Sequence, residues 1–525
     1  MWSGYVAALL PVLYLAHRIH QAPLMPFQDY WTTLARITNP DGSIHLRGFL
    51  SYQNEHPFVV PNVLYYLDAR FLQGTNTALG YYALAIGVLS VAILRSFIPP
   101  TWSPAARAWM TAAISVLLLS PSGLWNFVRG MSGAAWLTAN LFGLLAVLLA
   151  VRARPWLALA AAALAIASYG TGFAAPVAII VVIVASRQRA RYWICAAALL
   201  AAALAVYART ANGGTTGTGA SHDVVLVSRT FLTNLGMLWD PDAGSVAVIS
   251  GAVGLAVLVL SFVSAWSRGT ATELLAWWGV GAYAVAASGL ISVGRGEVFG
   301  GDGSQGRYAS LSALFWVTVL MVIVHSVLAH QRVMVRGAVV AVTALCIVAS
   351  SNALAQRAVS EHGAQRVLAA AVRIGHANAF PARMFMAQQQ IPRLKALGDY
   401  PFVDSYDFGC GHKPGDVIDV SKVRSLPVPK GANLGAIDSD ALTVDSRRWV
   451  GWVRRAGKPL QCVLVVDARG TVIGGGAVSL SRPDINATVP GLAGALGFEA
   501  VGPADVAGAR LILGFDDGFF QLAPR

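Results

Sequence analysis

The sequence predicts a mainly α-helical, polytopic membrane protein of about eleven transmembrane helices, followed by a small β-rich domain outside the cytoplasm. Three observations predict it. The 525 residues are 56% hydrophobic and only 12% charged, against roughly 25% charged in ordinary soluble domains. Long runs such as Leu79–Leu94 carry no charge at all. Those runs are separated by short Arg-rich turns in alternation with longer loops that hold Asp, Glu, His and Arg, a pattern no soluble core could accommodate.

A membrane helix needs about 20 mostly apolar residues, and eleven segments qualify: about 3–20, 78–98, 106–121, 133–151, 156–168, 171–185, 192–208, 246–265, 272–292, 308–328 and 334–351. The first run, Tyr5–Ala16, lacks a basic leader and a small-residue cleavage site, so it reads as a retained helix. The fifth and sixth are short and meet at Ser168-Tyr169-Gly170-Thr171-Gly172. They form either two half-length helices dipping from one side or one long broken helix, whose freed backbone groups need protein or water around them.

Orientation follows from the turns. Loops 99–105, 152–155, 186–191, 266–271 and 329–333 hold or adjoin Arg152, Arg154, Arg187, Arg189, Arg191, Arg268, Arg332 and Arg336, with Glu273 the nearest acid. A cytoplasmic N-terminus puts these loops inside, as the excess of positive residues requires. Loops 21–77, 122–132, 209–245 and 293–307 then lie outside with the whole tail. The net charge of +13 is mostly this topology signal, and no nucleic-acid partner is inferred.

Three regions result: a transmembrane domain over 1–351, a helical and irregular connector over 352–400, and a soluble β-sandwich-like domain over 401–525. Residues 352–384 have helical character interrupted by Arg357, Arg366 and Arg373. Cys462–Val466 is a strand, Asp467-Ala468-Arg469-Gly470 a turn and Thr471–Ile473 a returning strand. Trp449–Val453 and Leu511–Leu513 add strands, and Asp516-Asp517-Gly518 another turn. Trp449 and Trp452 either stack on sugar faces or fill the core. Cys195 and Cys346 lie in apolar runs as packing residues, whereas Cys410 and Cys462, outside the cytoplasm, are permitted to pair.

The outer loops carry the candidate chemistry. Asp29-Tyr30-Trp31 follows the first span, after Pro23 and Pro26 have turned the chain, and places a carboxylate at the membrane surface. Removing the proton of a sugar hydroxyl calls for such a carboxylate or an imidazole, so Asp29 is the candidate base; a solvated interfacial Asp or helix cap is the plainer alternative. In Tyr52-Gln53-Asn54-Glu55-His56-Pro57, Glu55 and His56 could position an acceptor, share a proton or hold a divalent cation, and Asn54 could bond a sugar hydroxyl. His45 and Arg47 read as loop residues, and Asp68 beside Arg70 as a surface ion pair. Arg129, Arg295 and Arg307 offer phosphate-matching guanidiniums, with Glu297, Asp302 and Tyr308 nearby; each Arg alone could equally snorkel or pair with an acid. Loop 209–245 adds His222, Asp223, Arg229, Trp239 and Asp240, and its Gly-rich 213–219 stretch lacks the lysine of a phosphate-binding loop.

Asp29-Tyr30-Trp31, Asn54-Glu55-His56 and Arg307-Tyr308, set in a many-span frame with a soluble tail, resemble the integral-membrane glycosyltransferases of the GT-C class. The Ala/Gly/Arg-rich composition and Arg482-Pro483-Asp484-Ile485 are similar to actinobacterial cell-envelope members, such as arabinofuranosyl- or mannosyltransferases. The resemblance implies inverting transfer of a sugar from a polyprenyl-phosphate donor to an envelope glycan or glycolipid at the bacterial plasma membrane. Asp29 would be the first-loop acid acting as base, helped by Glu55 or His56. Arg307, Arg295 and Arg129 would hold the leaving phosphate, and Tyr30, Trp31, Asn54, His222 and Tyr308 would contact substrate. Asp29 stands singly rather than in an acidic pair, which leaves a metal unassigned. Other readings are a transporter or flippase, which would line a passage with charges inside the spans, a His-centred envelope acyltransferase, and a glycan-binding scaffold.

Overall fold

A computed structural model of the chain describes residues 2–27, 29–54, 56–210, 221, 223–240, 242, 244–295, 306–328, 363–377, 387–426, 435–442, 445–455, 457–482, 484–485 and 497–522. They form two compact units, one from residues 1–21, 46–64 and 77–354, the other from 22–45, 65–76 and 355–525.

Along the chain run α1 (Trp2–His20), α2 (Asp29–Ile37), the hairpin β1 (Tyr52–Gln53) and β2 (His56–Pro57), α3 (Val59–Phe71) and α4 (Asn76–Ser96). Next come α5 (Pro104–Leu118), the single turn α6 (Trp125–Val128), α7 (Gly130–Val151), α8 (Pro155–Ser168) and α9 (Ala174–Ala185). The helical region continues with α10 (Ala190–Thr210), α11 (Val224–Gly236), α12 (Ser245–Ser267), α13 (Leu275–Arg295) and α14 (Ala309–Leu328). Local chemistry sets several starts. The Ser103 hydroxyl accepts from the Ala106 amide ahead of Pro104, and the Asp223 carboxylate accepts from the Val225 and Leu226 amides, so each caps donors that the helix cannot satisfy.

Among the described residues, six helical segments are long and apolar enough to cross a membrane: Asn76–Ser96, Gly130–Val151, Ala190–Arg209, Ser245–Ser267, Ala271–Arg295 and Gly306–His325. An outer face agrees with that environment: Ile249, Val253, Leu260 and Val263 on α12 are all exposed. The chain is therefore a helical membrane protein. The first expected span is helical but falls short of the spanning set, α5 has 15 residues, and the segment expected over 334–351 lies outside the described residues. The fifth and sixth segments are two separate short helices, as one of the two alternatives required. A Cβ at Gly172 would lie 2.0 Å from the Ala165 carbonyl oxygen, so the chain reverses there in a space only glycine leaves open. The hairpin also returns to its starting level: α8 begins just after the Arg154 backbone amide bonds Leu149 O, and beyond α9 the Gln188 side-chain Nε2 donates to Ala150 O. Helix α11 was not expected.

The first unit has two chemically different ends. Helix α7, at 22 residues, is about 33 Å long. Helix α13 runs antiparallel to it: Gly279 sits against Val147 and Val182, and Gly143 against Tyr283. At the α7 C-terminal end lie the Arg152–Arg154 turn and the Arg187–Arg189 turn, and Glu273 bonds His325 at 3.1 Å. The opposite end gathers the longer loops, with Ser221 N bonded to Val293 O and Asn126 to Arg307 O.

The second unit contains α2, a helix α15 over 363–373, α16 (Ala387–Leu397) and eight strands: β3 (Arg424–Leu426), β4 (Gly435–Leu442), β5 (Ser446–Val453), β6 (Cys462–Val466), β7 (Val472–Leu480), β8 (Gly497–Pro503), β9 (Arg510–Phe515) and β10 (Gly518–Leu522). They form one sheet in the order β3-β10-β9-β6-β7-β8-β5-β4, antiparallel except for β3 beside β10. A Cβ at Gly435 of β4 would touch the Leu522 side chain of β10. The sheet therefore curls into a half-barrel and buries its concave face on itself, in place of the two-layer sandwich expected. Val463, Val465, Phe498 and Leu513 fill that core together with Trp449. Trp449 and Trp452 are both buried, so neither offers a ring to a sugar. The turn after β6 is the one expected: Asp467 accepts from the Arg469 and Thr471 amides, and Gly470 takes a positive φ of 87°. Cys410 and Cys462 form a disulfide.

Candidate functional site

The α7 N-terminal end of the first unit brings together residues from segments far apart in sequence. The β1–β2 hairpin pairs Gln53 with His56, and Asn54 turns the chain at a φ of 52°, a left-handed conformation that Asn tolerates. That turn alone accounts for an exposed Asn54. His56 is thereby held against Tyr169, ring centroids 4.0 Å apart. Tyr169 lies in the α8–α9 reversal, where a Cβ on Gly170 would fall 2.7 Å from His56 Nδ1; glycine lets the imidazole approach. Tyr169 packs on Trp136 of α7 at 4.5 Å, and Trp136 packs edge-on to Tyr308 at 5.0 Å.

Three guanidiniums belong to this cluster. Arg295, the last residue of α13, donates from an Nη to His56 Nε2 at 3.4 Å. Arg307 lies over the Tyr308 ring at 5.3 Å, in the turn whose carbonyl accepts from Asn126 at 2.9 Å. Arg129 stacks on Trp125 at 4.0 Å, and Trp125 also covers Gly306. Burial first, and the Arg307 guanidinium second, hold His56 neutral and bring its pKa down to about 3, because both penalise a second positive charge. With Arg295 donating to Nε2, the imidazole proton sits on Nδ1. His56 is thus an acceptor that orients Arg295, and it is a weak general base near neutrality. Of the groups expected here, His56, Arg295, Arg307, Arg129 and Tyr308 converge. Glu55, His222, Glu297 and Asp302 lie outside the described residues.

Asp29, Tyr30 and Trp31 belong to the second unit. Asp29 opens α2 and is half-buried. Arg36, one side of the same helix, feels two opposed effects: burial lowers its pKa, and the Asp29 carboxylate raises it. Tyr30 and Trp31 are fully buried, pack edge-on at 5.7 Å and present no face to solvent. Tyr30 Oη donates to Asp68 Oδ2 at 3.1 Å. Asp68 is therefore an interior residue, not the surface partner of Arg70: residues two apart on a helix point to different sides, and Arg70 is exposed beside Phe71.

Sequence reasoning passed over Tyr169 and Trp136. The signal for Tyr169 was present, a lone aromatic residue before Gly-Thr-Gly where two apolar runs meet, but it read only as a helix break. Among the described residues no group of three or more His, Cys, Asp or Glu side chains is placed to hold a metal ion. The cluster of three cations, four aromatic rings and a neutral imidazole suits an anionic group. No family model, no curated protein and no solved structure matches the chain.

Proposed function

We propose that the protein is a GT-C-type membrane glycosyltransferase that moves a sugar from a polyprenyl-phosphate donor to a cell-envelope glycan or glycolipid, with inversion. One observation carries the reading: Arg295, Arg307 and His56, from three segments distant in sequence, meet at the end of the bundle opposite the Arg-rich turns. A lipid phosphate lies at the bilayer surface, and its departure builds negative charge that fixed guanidiniums stabilise. Arg307 and Arg295 hold that phosphate, Arg129 adds to the field, and His56 keeps Arg295 in position. Asp29 takes the acceptor hydroxyl proton; this assignment rests on its place at the start of the first helix after the first apolar segment. The positive-inside rule favours a cytoplasmic face for the Arg-rich turns, which supports an outer position for the cluster. The Cys410–Cys462 disulfide within the second unit suits an oxidising compartment. Arabinofuranose and mannose are the leading sugars.

The test is transfer from purified polyprenyl-phosphate sugars by the full-length protein. Arg307→Ala should weaken donor binding at least tenfold, and Asp29→Asn should abolish turnover while donor binding persists. Undiminished donor binding in Arg295→Ala, Arg307→Ala and their combination would reject the phosphate site.

A further inference from the structure

The second unit buries two acids that the proposed transfer does not use. Asp68, on α3, and Asp399, just after α16, are essentially inaccessible to solvent, at 1% and 0% exposure. Both abut the same bend, Gln73-Gly74-Thr75. The Gly74 amide bonds the Asp68 carbonyl, the Thr75 amide bonds the Asp68 carboxylate, and a Cβ on Gly74 would lie 2.8 Å from Asp399 Cγ and 2.9 Å from its Oδ2. Gln73 and Gly74 both take positive φ, 62° and 57°, so the bend is shaped to admit the Asp399 carboxylate.

Their oxygens are under-satisfied. Tyr30 Oη donates to Asp68 Oδ2, but Asp68 Oδ1 and both oxygens of Asp399 have no hydrogen-bond partner among the described residues. Neither acid forms an ion pair there. Buried carboxylates in proteins are paired, bound to a cation, or neutralised. Protonation of both acids removes the charge only below about pH 8; above it, one shared proton would leave a net negative charge in the interior. A divalent cation held by the two carboxylates would cancel both charges. The donor set is all oxygen, which is the chemistry of hard cations such as Ca2+. Without a cation, burial pushes both acids up to about 8, and in Asp399 the Asp68 charge adds to it.

We propose that Asp68 and Asp399 form a binding site for a hard divalent cation, completed by water or backbone carbonyls, inside the second unit. The cation joins two stretches of chain already in register there. Tyr400 N donates to Gln73 O at 2.8 Å, Arg393 to Thr38 O at 3.1 Å, and Leu397 packs on Gly42. Through Tyr30 it would also fix the first turn of α2.

The test uses full-length protein in detergent, freed of metal by a chelator and titrated with Tb3+. Tyr30 and the adjoining Trp31 are placed to sensitise its emission. Wild type should show saturable emission displaced by Ca2+, and Asp399→Asn and Asp68→Asn should each bind at least tenfold more weakly. Equal titrations in wild type and both variants would overturn the site. If the variants fail to fold, melting of wild type decides: Ca2+ added to the chelated protein should raise its melting temperature. Melting indifferent to Ca2+ but falling steadily as pH approaches 8 would overturn the proposal in favour of a shared proton. The readouts are metal binding and melting, so the result stands apart from sugar transfer.

Discussion

The two units solve burial in opposite directions. In the helical unit the interior holds Asn140, Asn234, Ser292, Ser312 and Thr318, all buried, and they bond neighbouring side chains or backbone: Tyr283 Oη donates to Asn140 at 3.0 Å, and Ser312 to Leu235 O at 2.7 Å. Its outside is Leu, Val and Ile. The β unit has the reverse pattern, with Val463, Val465 and Phe498 at its centre and ion pairs outside, such as Arg447 with Asp440 and Arg455 with Asp517. The difference teaches that one chain is built for two solvents. Where lipid surrounds a helix, exposed apolar groups cost nothing and polar groups retreat inward to find partners. In water the sheet must hide its apolar face.

Truncating the sheet core gives the largest expected effect. Phe498→Ala should destabilise the β unit by about 3–5 kcal/mol, read as a lower chemical-denaturation midpoint. Next, Val253→Lys places a charge on the exposed face of α12, at a cost of about 3 kcal/mol near a span centre, and should reduce membrane insertion. The matching change on the sheet, Leu442→Lys at an exposed edge position, should shift stability by roughly 0.5 kcal/mol or less. Equal penalties at 253 and 442 would break the contrast.

The pH dependences of the two units should differ in sign. His56 has its pKa lowered to about 3, so between there and about 6.5 the unfolded chain binds more protons. Stability of the helical unit should therefore fall as pH falls through that window, and His56→Gln should flatten the slope. Asp68 and Asp399, raised to about 8, act oppositely in chelated protein: their contribution is complete below about 4 and is lost as pH rises to about 8. Melting curves from pH 4 to 8, with and without Ca2+, check both.

Sequence made the solvents legible but not the pairings. Apolar runs long enough to dominate their neighbourhoods, as in α7, α12 and α14, announced themselves. So did β6 and its turn, because Asp467 and Gly470 encode that turn locally. The short helix α11 was hidden by Arg229, Thr230, Thr233 and Asn234, whose polarity reads as loop; inside the unit Thr230, Thr233 and Asn234 are buried. The single sheet was not legible, since β5 with β8 and β6 with β9 are paired by tertiary packing rather than by adjacent turns. In the candidate site the cations were readable one by one. Their meeting with Tyr169 and Trp136 was not, because ring stacking between distant segments leaves no periodic trace. The Asp68–Asp399 neighbourhood escaped for the same reason, with Arg70 offering a nearer and misleading partner.

The loops at the two ends of the helical unit face opposite compartments, and compartment-specific labelling reads this. With Cys195 and Cys346 replaced by Ser, single cysteines at the exposed positions Asn54, Asp242, Arg154 and Arg268 would be treated in intact cells with a membrane-impermeant maleimide. Asn54→Cys and Asp242→Cys should react from outside, while Arg154→Cys and Arg268→Cys should react only after permeabilisation. Reaction of positions 54 and 242 from different sides, or of 54 and 154 from the same side, would contradict it.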